Sequence, residues 1–62
     1  GETVAEAMAR VQGLFDGADT PARVDEIIGS ELASGDYTKD QAERITAMGD
    51  TRKRIIAGAK TK

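Results

Sequence analysis

Cysteine, histidine and tryptophan are all absent, and the aromatic residues are Phe15 and Tyr37 alone. Without cysteine no disulfide can brace the fold. Without histidine a zinc site would have to be built from carboxylates, which zinc seldom accepts as its only ligands. The side chains that most often act as general base or thiol nucleophile are therefore missing. The chain also lacks a Gly-x-Ser-x-Gly turn and a glycine-rich phosphate loop. Adjacent carboxylates such as Asp25 and Glu26 would point about 100° apart on a helix rather than converge. Calcium loops fail too. One starting at Asp36 would put Gln41 where the turn needs glycine and Ala47 where the bidentate glutamate belongs; one starting at Asp16 would put Pro21 and Ile27 there. The expectation is a chain that is not an enzyme and takes no cofactor and no metal.

Long apolar runs are missing as well. No stretch approaches the roughly 20 residues that a membrane span requires, and the most apolar face near the C-terminus carries no Trp or Phe to anchor it in a lipid interface. No signal-peptide pattern is visible. The leading Gly1 points to a processed chain, a tag remnant or an excised domain. The absence of cysteine suits a reducing compartment, so the expected location is the cytoplasm.

What is present is helical grammar. Sixty-two residues make at most one domain, which buries only about 60% of the surface its unfolded form exposes. Val, Ile, Leu and Phe make up under a fifth of the chain, a level at which disorder becomes an option, but the net charge is only −2 and the apolar residues are periodic. Thr3 followed by Glu6 is a capping box, and Val4, Met8, Val11 and Phe15, widened by Leu14, form a stripe. They predict a helix over 4–16, with Gly17 as a left-handed stop. Thr20 is a good cap and Pro21 suits the first helical position. Val24, Ile27, Ile28 and Leu32 then predict a helix over 21–34, closed by Gly35, with Glu31 mostly on its outer side. Tyr37 is placed to staple onto Ala42 or to cover the end of the second helix. Thr38 and Gln41 form another capping box ahead of the longest periodic stretch, Ala42, Ile45, Met48, Gly49, Arg52, Ile55, Ile56 and Ala59. This predicts a helix over 39–59 and a frayed tail over 60–62. The fold class is all-α: a small three-helix bundle or open helical array with a long C-terminal helix.

Two readings of that last helix remain open. Continuous, it would be roughly 10 Å longer than its neighbours. Its end, with Ile55 and Ile56 side by side, would then have nothing within the chain to pack against. Broken at Gly49-Asp50, where glycine costs about 1 kcal/mol relative to alanine, it would fold back as a short fourth helix. The continuous reading gives a partner interface of Met48, Arg52, Ile55, Ile56 and Ala59. There Arg52 either lays its stem along apolar surface with its head in water or makes an ion pair across the interface.

Charge is divided unevenly along the chain. Residues 1–50 hold all 11 acids against Arg10, Arg23, Lys39 and Arg44, whereas residues 51–62 hold five bases and no acid. Arg52, Lys53, Arg54, Lys60 and Lys62 therefore form a candidate polyanion contact, the plainer reading being a solvated basic helix end paired to acids of its own body or of a neighbour. The second and third helices could also be read as a helix-turn-helix, although the third begins with acids that repel phosphate. The leading expectation is a non-catalytic interaction or assembly module, acting as a homo-oligomer or as a small subunit or adaptor. Its partner would be another protein or further copies of itself. The alternative is a small nucleic-acid-binding or transcription-regulating protein that uses the basic end.

Overall fold

A computed structural model of the chain describes residues 1–60, with the backbone alone of Lys60. Three helices follow one another: α1 Val4–Asp16, α2 Pro21–Ser34 and α3 Lys39–Lys60, with no strand among the described residues. Each begins where a threonine satisfies an orphan backbone donor. The Thr3 hydroxyl accepts from the Glu6 N–H at 3.1 Å while the Thr3 N–H donates to Glu6 Oε1 at 2.9 Å. Thr38 and Gln41 repeat that box at 3.2 Å and 2.9 Å. At α2 the Thr20 hydroxyl accepts from Arg23 N–H at 3.2 Å, ahead of Pro21. The helix ends are less conventional. Gly17 sits at φ −87° and Gly35 at φ −96°, so neither is the left-handed stop that glycine permits. After Gly17 the chain simply tightens, with the Ala18 N–H donating to the Phe15 carbonyl at 3.0 Å, before the next cap begins.

The helices run up, down and up, and α3 packs against both others. The core is Val11, Phe15, Ala18, Val24, Ile27, Ile45 and Ile56, flanked by half-buried Met8, Ile28, Tyr37 and Met48. On α1 the buried line runs through Ala7, Val11 and Phe15 to Ala18 in the turn, whereas Val4 is 52% exposed and Leu14 lies at the surface. Leu14 lies about 60° around the helix from Val11, at the edge of the buried face, whereas Val4 shares the Val11 meridian and is exposed because it stands in the first turn. Leu32 on α2 is also exposed for its size.

Helix α3 is continuous through Gly49-Asp50, so the break and the fourth helix are overturned. Gly49 is buried. A Cβ there would stand 2.5 Å from Ile28 Cδ1 and 3.2 Å from Val24 Cγ1. The glycine lets α2 lie against the α3 backbone, and that packing offsets the propensity cost of about 1 kcal/mol. Continuity makes the molecule long, at 41 × 17 × 16 Å. It does not leave both isoleucines bare. Ile56 is 6% exposed and belongs to the core, while Ile55 is 55% exposed. Adjacent helical residues point about 100° apart, so one of such a pair turns inward and the other to the flank.

Candidate functional site

Ile55 is the most exposed large apolar side chain among the described residues. It sits in two shallow concavities that share Ile55 and Arg52. One, about 120 Å³, is lined by Gln12, Asp16, Met48, Thr51, Arg52 and Ile55. The other, about 200 Å³, is lined by Asp19, Arg52, Ile55, Ile56 and Ala59. Together they form a trench along the α1 side of α3 from Met48 to Ala59, about 16 Å or three helical turns. The helical spacing of Met48, Arg52, Ile55 and Ala59 lays them in one line, and the end of α1 with its following turn supplies the facing wall.

Of the expected interface residues, Ile55 and Ala59 are exposed along this trench, whereas Met48 is half-buried and packed against the core. Ile56 is a correction: it is held inside the chain. Arg52 follows neither of its expected roles. Its Nε–H donates to the carbonyl of buried Ala18 at 3.0 Å, satisfying a backbone acceptor in the α1–α2 turn. A contact 34 residues apart in sequence carries no periodic signal.

The expected polyanion surface is not a free cluster. Lys53 Nζ lies 2.5 Å from Asp25 Oδ1 on α2, which holds its pKa above the usual lysine value. Asp16 and Asp19 line the same trench as Arg52. Folding therefore lays Asp16, Asp19 and Asp25 beside the base-rich end of α3, where Lys53 is paired with Asp25. Arg54 is exposed; Lys62 and the side chain of Lys60 lie outside the described residues.

The opposite end of the bundle holds a polar network that helical periodicity does not predict. Glu31, expected on the outer side of α2, is 8% exposed. Its carboxylate accepts from Arg10 Nη1 at 2.7 Å, Arg10 Nη2 at 2.9 Å and the Tyr37 hydroxyl at 2.9 Å. Glu2 grips the same guanidinium from the solvent side, with Arg10 Nε donating at 2.9 Å. The two-pronged Arg10 contact holds the Glu31 carboxyl below its usual pKa range, against the effect of burial, and Glu31 in turn raises Tyr37. Tyr37 thus covers the end of α2. The ring lies where a Gly35 side chain would have to be. These groups line a concavity of about 340 Å³ with Val4, Ser34 and Asp36. Every buried side-chain nitrogen and oxygen among the described residues is satisfied, so the network reads as a fastening of three helix ends.

No protein-family model, curated protein or solved structure matches the chain. Among the described residues no three acidic side chains are grouped so as to hold a metal ion, and no helix is long and apolar enough to cross a membrane. The candidate site therefore stands on geometry alone.

Proposed function

We propose that this chain is a non-catalytic interaction module that docks an apolar face of a partner, another protein or a further copy of itself, in the Ile55 trench. The observation that carries this reading is a 55%-exposed isoleucine shared by two adjoining shallow concavities on the outside of a closed core. Ile55 is 55% exposed, so covering the rest of it on a partner yields about 1–1.5 kcal/mol, roughly half the gain of a full burial. Helix α3 and the end of α1 hold most of the lining in place, so docking costs little ordering. The nucleic-acid reading draws less support: Lys53 is paired within the chain, Arg52 is turned onto a carbonyl, and Asp16, Asp19 and Asp25 stand nearby.

The test is site-specific photocrosslinking in cells, with p-benzoylphenylalanine replacing Ile55 and, as control, replacing exposed Ala47. The expected result is a discrete protein adduct at position 55 that excess wild-type chain competes away and excess Ile55→Asp chain does not. Adducts equal at 55 and 47, or indifferent to competitor, would overturn the proposal.

A further inference from the structure

Resting on the docking reading of the trench, we infer that its occupant is a second copy of this chain, the two trenches packing face to face. The argument is charge. The wall made by the end of α1 and the turn after it is acidic, with Asp16 and Asp19. Asp16 accepts a hydrogen bond from Gln12 Nε2 at 2.9 Å, whereas the Asp19 carboxylate has no ionic or hydrogen-bonding partner among the described residues. The other rim is basic. Arg54 lies about 100° around α3 from Ile55, on the side away from α1. It is exposed, and its guanidinium likewise has no partner among the described residues. Acid wall, apolar floor and basic rim thus follow one another across the face.

A two-fold axis along the trench exchanges left and right between facing copies. It sets Ile55 against Ile55 of the partner subunit. It also sets each Asp19 wall against the other copy's Arg54 rim, so the face is complementary to itself. No acid lies within residues 51–62, so nothing on α3 beyond Asp50 opposes the acidic wall. Three helical turns bury less than the roughly 1,200 Å² of a standard interface, so the pairing is weak and concentration-dependent.

Sedimentation equilibrium across about 0.05–2 mM chain tests this. Wild type should move from monomer to dimer across that range. Ile55→Asp should stay monomeric. Asp19→Lys and Arg54→Glu should each weaken pairing about tenfold, and the double variant should return to within about twofold of wild type, because the exchanged charges again meet across the axis. All of these positions are exposed, and unchanged far-ultraviolet circular dichroism confirms that each variant is folded. A wild type monomeric throughout, or a double variant no better than the singles, overturns the second copy as occupant. If the chain is monomeric while competed adducts at position 55 persist on other proteins, the second copy fails and the docking reading stands. If the adducts are also missing, both fall.

Discussion

At the Glu31 carboxylate, protonation and folding are linked. Arg10 and Tyr37 hold its pKa below the ordinary 4.5. Its contribution is therefore present in full above that value and is lost as pH falls through the lowered folded-state pKa. Glu31→Gln should cost about 1–2 kcal/mol at neutral pH, the scale of a charged hydrogen bond. It should also flatten the fall in stability below pH 4.5, as read by urea midpoints measured at pH 3 and pH 7 in both chains. A wild-type midpoint that did not fall with acid would contradict the assigned role. The isoleucines give a second contrast at this scale. Ile56→Ala should cost about 2–4 kcal/mol as a core truncation, whereas Ile55→Asp should shift stability by no more than about 0.5 kcal/mol. Paired thermal melts distinguish a core side chain from a docking one without any partner in hand.

Among the elements, the glycines of α2 and α3 separate propensity from packing. Gly29 has open space where a Cβ would go, so Gly29→Ala should stabilise by about 0.5–1 kcal/mol. Gly49→Val should destabilise by about 1–3 kcal/mol, since two methyls would be driven into Ile28 and Val24. Chemical denaturation of the two variants should give midpoints on opposite sides of wild type. The helix starts were legible in the sequence because a threonine cap acts over three residues, and three residues are visible in a string. The order of helices and most of the core followed from apolar spacing. Gly49 was ambiguous because propensity alone cannot report a neighbouring helix, and the left-handed stops expected of Gly17 failed because the next cap arrives before such a turn is needed. Glu31 and Arg52 were misread, and Lys53 could be read in two ways, for one shared reason. Their partners are Arg10, Asp25 and Ala18, 21 to 34 positions away, and only packing brings such residues together. In the trench, Ile55 and Ala59 followed from spacing, whereas the acidic wall of Asp16 and Asp19 did not.

For the whole molecule, charge along the chain and charge in space differ. Sequence order separates an acidic body from a basic end, but the up-down-up path returns Asp16, Asp19 and Asp25 to that end. Phosphate binding at the C-terminal part of α3 should therefore be weaker than about 10⁻⁴ M at physiological salt, the lax limit of non-specific binding. Anisotropy of labelled duplex and single-stranded DNA measures this directly. Binding that is tight at low salt and falls steeply as salt rises would transfer the site from Ile55 to the bases.

Helix α3 also bears on how the chain comes off the ribosome. Most of the contact between helices is made by α3, the last of the three to be synthesised. Two short helices of 13 and 14 residues are individually too brief to persist in water. Until Ile45, Gly49 and Ile56 have emerged, α1 and α2 have no floor on which to settle. Folding must then be a late, nearly all-at-once event, and a nascent chain stalled before Ile45 should remain fully open to protease.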